Sequence, residues 1–385
     1  MKTIGIFTTS RAEYGLLSTL LDTIENDQYF EYLLFVGGSH HLDSQGRSID
    51  EIEPRGSNII TFDFLLNTDT EKTLTQSMAV ESFQLSELFE GYIFDYACVL
   101  GDRIELLPIV QTAIIFRKPI IHIHGGEVTS GAIDDQIRHM ITKASHLHFC
   151  AAEAYKENII KMGEEAWRVH NVGALGVDSI SEEADFSREE LFDQFRLDIS
   201  KPTVLLTYHP VTLEFGFSHE EQIRNLFMAL ESFDFQVMIT APNIDTGHEK
   251  LFELIHSEVA RKSDYIFIQS LGIKRYQSML RCVEFVIGNS SSGILEVPFF
   301  KIPTVNIGDR QTGRIRHESV LDCTYLRESI SKAIKIALDH EFKSSLEKMD
   351  YKFGDGHAAE RIIHVLRSTQ VDQKLMRKQL EFSYA

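Results

Sequence analysis

The chain has 385 residues, 43% hydrophobic and 25% charged, with 23 Gly and 8 Pro. That is the balance of a globular protein of two or three domains, not of a collagen-like or disordered one. Lys plus Arg is 38 and Asp plus Glu is 57, a formal net charge of −19, so the chain lacks the cation surplus that non-specific nucleic-acid or anionic-membrane binding needs. An anionic ligand would require a few cations gathered at one place. No apolar run approaches the ~20 residues of a membrane helix, and the start KTIGIFTTSR is too short for a secretory leader. Cys98, Cys150, Cys282 and Cys323 are scattered, form no CxxC and read as free thiols. A soluble cytoplasmic protein is expected.

Short β-rich apolar runs alternate with amphipathic stretches. Strands are predicted at 3–9, 32–36, 58–62, 96–100, 119–124, 146–151 and 168–172, and a second series at 203–208, 235–240, 265–268, 283–287 and 302–307. Several are continuous in Val, Ile, Leu and Phe, as in parallel strands covered on both faces. Between them, Tyr14, Leu17, Leu21 and Ile24 fall on one face of a helix over 13–25, and Leu326, Ile330, Ile334 and Leu338 on one face of a helix over 326–338. The alternation predicts an α/β chain with two doubly wound parallel-sheet lobes and a cleft between them. The polar stretch 173–201 holds the boundary, giving an N-terminal lobe over 1–173 and a C-terminal lobe over 174–356. The remainder, 357–385, reads as a helix packing back on the first lobe, with Ala359, Ile362, Ile363 and Leu366 on one face.

In such sheets ligands bind beyond the carboxyl ends of the strands. After the first strand come Thr8-Thr9-Ser10-Arg11, an N-cap with an Arg at the helix entry that suits a phosphate. It is not GxGxxG, so a dinucleotide fingerprint is missing there. Gly101-Asp102-Arg103 follows the strand at 96–100. The segment 119–139 places His122 and His124 on one strand face, then Gly125-Gly126-Glu127, then Asp134 and Asp135 opening a helix with Arg138 and His139. Such crowding can drive carboxyl pKa values apart, leaving one group to accept a proton and another to donate it. A His-x-His metal site is the competing reading, but the HExxH spacing is absent and no metal is assigned. His209-Pro210 stands at the end of the strand over 203–208. The clearest anion signal is VEFVIGNSSSGILEVP, where Gly288, Asn289, Ser290, Ser291 and Ser292 end a strand and open a helix carrying Glu296. It lacks the Lys of a Walker loop. Arg310, Arg314 and Arg316 follow as a local positive patch.

Taken together, SRAEYG, GDR, HIHGGE with DDQIRH, HP after a strand, GNSSSGILEVP and NIGDRQTGR resemble the hydrolysing UDP-N-acetylglucosamine 2-epimerase family, in family order over about residues 8–320. The resemblance implies a two-lobed fold like that of GT-B glycosyltransferases, a UDP-sugar substrate, no cofactor and a homodimer or homotetramer. It implies that Arg11, Arg103, His124, Gly288, the Ser290-Ser291-Ser292 turn, Glu296 and Arg310 hold the UDP-sugar. It further implies that Asp102, Glu127, Asp134 and His209 carry the chemistry. Some relatives place a carboxylate where this chain has His124; the nearest acid is Glu127, so either could fill that role. The implied reaction removes the C2 proton while UDP leaves C1, then hydrates the glycal to a free N-acetylmannosamine-type sugar. The substrate would be UDP-N-acetylglucosamine or its 2,4-diacetamido-6-deoxy analogue. The rivals are a non-hydrolysing 2-epimerase, a glycosyltransferase of the same fold, and a non-catalytic nucleotide-sugar sensor.

Overall fold

The computed structural model describes residues 1–381 except 43–46, 53–54, 56–57, 67–69, 130–131, 181–183, 212–215 and 243–247. It divides into two compact units. The first comprises 1–127, 134–179 and 353–385, and the second 128–133 and 180–352.

The first unit is built on seven parallel strands, β1 (Lys2–Thr8), β2 (Phe30–Val36), β3 (Ile59–Thr61), β4 (Tyr96–Leu100), β5 (Ile120–Ile123), β6 (Leu147–Cys150) and β7 (Val169–Asn171). Their order is β3-β2-β1-β4-β5-β6-β7. Alternation along β1 sends Ile4 and Ile6 to one face and Phe7 to the other. On the first face they meet Leu17 and Leu21 of the helix Arg11–Glu25, and Ile362 and Ile363 of the helix Ala358–Ser368. On the second, Phe7 stacks on Phe35 at 4.6 Å over Leu85, Phe89 and Ile109. With helices on both faces the central strands are enclosed, which is why β1, β4, β5 and β6 are so fully buried. Each fully buried Leu or Ile contributes about 1.5–3 kcal/mol.

The helix expected to run from 357 to the C-terminus ends at Ser368; a one-turn helix, Gln373–Met376, follows, and 382–385 lie outside the described residues. Thr369 and Val371 are β-branched, and Asp372 caps the new turn by accepting from Leu375 N–H. The tail is then pinned by the buried Arg168, which donates to the carbonyls of Leu375 and Lys374, each at 2.8 Å.

The second unit carries six parallel strands, β8 (Thr203–Thr207), β9 (Gln236–Thr240), β10 (Tyr265–Ile268), β11 (Val286–Gly288), β12 (Thr304–Ile307) and β13 (Val320–Cys323), in the order β10-β9-β8-β11-β12-β13. The edge strand β13 has no counterpart in the sequence reading, because only one of its faces is covered and its four residues include Asp322.

In both sheets the order reverses beside the first strand, between β1 and β4 and between β8 and β11. Those switch points are where doubly wound sheets hold ligands. The segments leaving them are 9–11 and 101–103 in the first unit, and 208–209 and 289–292 in the second.

Candidate active site

In the first unit, Ser10 caps the helix that Arg11 opens, and Glu13 closes a capping box. Glu13 Oε2 accepts from Thr9 N–H at 2.7 Å, Thr9 Oγ1–H at 3.0 Å and Ser10 N–H at 3.1 Å. Arg11 is half-buried at the helix entry. Across the switch point, Arg103 donates to Glu105 at 3.0 Å. Its neighbour Asp102 accepts from Nη2 of Arg138, whose guanidinium is buried. Arg138 also donates from Nη1 to the carbonyl of Glu127 at 3.1 Å and pairs with Asp135 at 3.6 Å. One guanidinium thus holds the Asp102 carboxylate and the turn carrying Glu127 in a fixed relation.

That turn leaves β5 through His122 and His124. Burial pushes the His122 pKa down to about 3, so its ring is neutral and Nε2–H donates to the Gly101 carbonyl at 2.8 Å, fixing the residue before Asp102. His124 adopts a left-handed backbone, φ 63°, rare for a residue with a Cβ. Gly126 follows at φ 79°, where a Cβ would lie 2.2 Å from the Tyr155 carbonyl. The bend brings Nδ1 of His124 to 2.8 Å from Oε1 of Glu127, with both residues buried. Nε2 of His124 is buried and has no hydrogen-bond partner among the described residues. Asp134 is the first residue of the helix Asp134–Ala144 and is half-buried. Asp135, one residue on, is the helix carboxylate that reaches Arg138.

In the second unit, β11 ends at Gly288 with φ 138°, and a Cβ there would lie 1.9 Å from the Thr207 carbonyl. Only glycine lets the two strand ends close up. Asn289 then clamps His209, accepting from its N–H at 2.7 Å and donating to its carbonyl at 2.9 Å. The Asn289 carbonyl accepts from Gln311 at 2.8 Å and from Arg310 at 3.4 Å. Ser290 and Ser291 lead into a helix of a single turn, Ser292–Leu295. The longer helix expected to carry Glu296 stops because Val297 precedes Pro298, and a short 3₁₀ turn, Val297–Phe300, replaces it. Glu296 is left at the helix C-cap, where its Oε2 lies 3.4 Å from Ser292 Oγ. Ser292 also hydrogen-bonds the Tyr276 hydroxyl, and burial drives that phenol's pKa far above its ordinary value.

The structure therefore gathers Asp102, His124 and Glu127 in the first unit, and His209, Gly288, Ser292, Glu296 and Arg310 in the second. The sequence reading gave no role to Arg138, Asn289, Gln311 or Tyr276. The first three stand inside the motifs DDQIRH, GNSSSG and DRQTG; Tyr276 lies in none. No group of three or more His, Cys, Asp or Glu among the described residues could hold a metal ion. No described helix is long and apolar enough to cross a membrane.

A family model described as UDP-N-acetylglucosamine 2-epimerase matches residues 22–367. A Campylobacter jejuni protein named GDP/UDP-N,N'-diacetylbacillosamine 2-epimerase (hydrolyzing) is 34% identical over 344 residues, 89% of each chain. A Legionella pneumophila protein named UDP-N,N'-diacetylbacillosamine 2-epimerase (hydrolyzing) is 31% identical over 376 residues, 96% of this chain and 97% of that one. Among solved structures, the Neisseria meningitidis UDP-GlcNAc 2-epimerase bound to UDP-GlcNAc superposes with a TM-score of 0.80 at 14% identity, covering 96% of this chain and 100% of that one. The family model spans β2 to β13 and most of the chain, and the chain belongs to the UDP-N-acetylglucosamine 2-epimerase family.

Proposed function

We propose that the chain is a hydrolysing 2-epimerase that takes a UDP-linked 2-acetamido hexose and releases UDP and the free 2-epimer. The observation that carries this reading is the arrangement around Arg138, in which a carboxylate, Asp102, and a buried His124–Glu127 pair are fixed by one guanidinium. Inverting C2 needs a proton removed from one face and another delivered to the opposite face, so two separate proton carriers are required.

Asp102, held in place by Arg138, accepts the C2 proton. As the C2–H electrons form the C1=C2 bond, the C1–O bond breaks and its electrons leave with UDP. Water then adds its hydroxide at C1, and C2 takes a proton from the other face. The His124–Glu127 pair serves as the second carrier. The imidazole meets the sugar through Nε2, and Glu127 behind it fixes the ring through Nδ1. Both residues are thereby used, each in its own part of the role. Asp134 and His209 complete the acid–base set. Arg11, Arg103 and Arg310, with the donors of Gly288, Ser290, Ser291 and Ser292, stabilise the leaving diphosphate. Glu296 accepts from the ribose hydroxyls. No redox cofactor enters these steps. The same reading makes the protein a cytoplasmic homodimer or homotetramer.

Two relatives above 30% identity are named for N,N'-diacetylbacillosamine, which puts the 2,4-diacetamido-6-deoxy sugar first and N-acetylglucosamine second. Incubating the protein with each UDP-sugar, without acceptor, and following products by NMR tests the reading. Free 2-epimer plus UDP supports it. A UDP-linked 2-epimer would identify the non-hydrolysing activity, and UDP binding without turnover would identify a sensor.

A further inference from the structure

Glu13 is fully enclosed, and its carboxylate does more than cap a helix. Oε2 gathers three donors from Thr9 and Ser10. Oε1 is buried and has no hydrogen-bond partner among the described residues. A lone buried carboxylate is costly, and the compensating charge comes from Arg103, on the segment that also carries Asp102. The far side of the same turn is held as well. Ser39 donates its N–H to the Thr9 carbonyl at 2.9 Å, and His40 Nε2 lies 2.9 Å from Thr8 Oγ1. The backbone from which Arg11 projects is thus fixed from both sides, and Glu13 supplies the charged acceptor for that turn's N–H donors.

We propose that Glu13 is a positioning residue for nucleotide binding: its ionised carboxylate shapes the Thr9–Ser10 turn so that Arg11 meets the diphosphate. The inference rests on the proposed UDP-sugar reading and gives a job to a residue that reading leaves idle. It also predicts a pH signature. Burial raises the Glu13 pKa to about 7, Glu105 adds to the rise, and Arg103 and the Thr9 hydrogen bonds oppose it. Glu81, on the helix Glu71–Gly91, is the remaining acid of this cluster and feels the Glu13 charge. As pH rises through about 7, Glu13 ionises and the turn tightens, so UDP affinity should improve over that interval.

The test is UDP binding by calorimetry from pH 6 to pH 8.5 for the wild type, Glu13→Gln, Arg11→Ala and the double variant. Glu13→Gln should weaken UDP about tenfold at pH 8, the size of one charge-assisted hydrogen bond, and should lose the wild type's rise near pH 7. The titration of UDP itself is common to all the proteins and cancels in the comparison. Because Glu13 acts through Arg11, the double variant should bind within about twofold of Arg11→Ala alone. Wild-type affinity and pH response in Glu13→Gln, or full additivity with Arg11→Ala, would overturn the assignment while leaving the epimerase reading intact. A wild type that does not bind UDP would overturn both. If Glu13→Gln fails to fold, Thr9→Val, which deletes one donor to Glu13, should give a smaller loss in the same direction, and no loss would count against the proposal.

Discussion

Glu81 offers a stability test that is independent of catalysis. Its carboxyl is fully buried, and neither oxygen has a hydrogen-bond partner among the described residues. Burial, reinforced by Glu105 and Glu13, raises its pKa well above 4.5. Above pH 4.5 the unfolded chain releases this proton while the folded chain keeps it. The group's contribution to stability is therefore fully present below pH 4.5 and falls by about 1.4 kcal/mol per pH unit until the folded carboxyl itself ionises. The loss accumulates over the whole interval in which the folded carboxyl still holds its proton. Glu81→Gln keeps the shape and is neutral at every pH, so it should match the wild type near pH 4.5 and exceed it increasingly above. For a unit of this size each kcal/mol corresponds to roughly 2–4 °C in Tm. Paired thermal melts at half-unit pH intervals measure the gap. A pH-independent difference, or a variant less stable than the wild type at pH 7, would show that the Glu81 carboxyl does not stay protonated in the folded chain.

The other predictions concern the site. Asp102→Asn should abolish turnover, by at least about a thousandfold if it removes the proton acceptor, while UDP affinity measured by calorimetry stays within about twofold. Arg138→Met strips the counter-charge from Asp102 and Asp135. Breaking so buried a pair costs about 3–5 kcal/mol, so the melt should fall together with kcat, and an unchanged melt would show that Arg138 does not hold the turn. Gly288→Ala must push a Cβ into the Thr207 carbonyl; it should destabilise the second unit by about 3 kcal/mol or more and weaken UDP binding.

Most of the fold was legible because enclosed parallel strands announce themselves as apolar runs. TVLLTY and YACVL fall within a residue of β8 and β4. What escaped was set by neighbours. β13 is an edge strand with a half-exposed, polar-interrupted sequence, and the helix expected to carry Glu296 was cut short before Pro298. The site was partly legible for a related reason. Residues at strand ends can be counted off from the strands, which located Arg11, Asp102, His209 and Ser290. Partnerships across the sheet cannot be counted in that way. Arg138 meets Asp102 from a helix 36 residues away, and nothing in local spacing shows that His124 and Glu127 share a hydrogen bond until the left-handed turn at His124 is seen. Glu13 received no role from the sequence, because the charges that act on it, Arg103 and Glu105, lie far along the chain.

In the proposed reaction the C1–O bond to UDP breaks as the C2 proton leaves, and one isotope experiment addresses both halves. The protein is incubated with the UDP-linked 2-acetamido sugar in deuterated water enriched in oxygen-18, and both products are analysed by mass spectrometry and NMR. The expected outcome is one deuterium at C2 of the released 2-epimer and UDP free of oxygen-18, since the bridging oxygen departs with the nucleotide. A released sugar that keeps its original C2 proton, or UDP carrying oxygen-18 from cleavage at phosphorus, would contradict it.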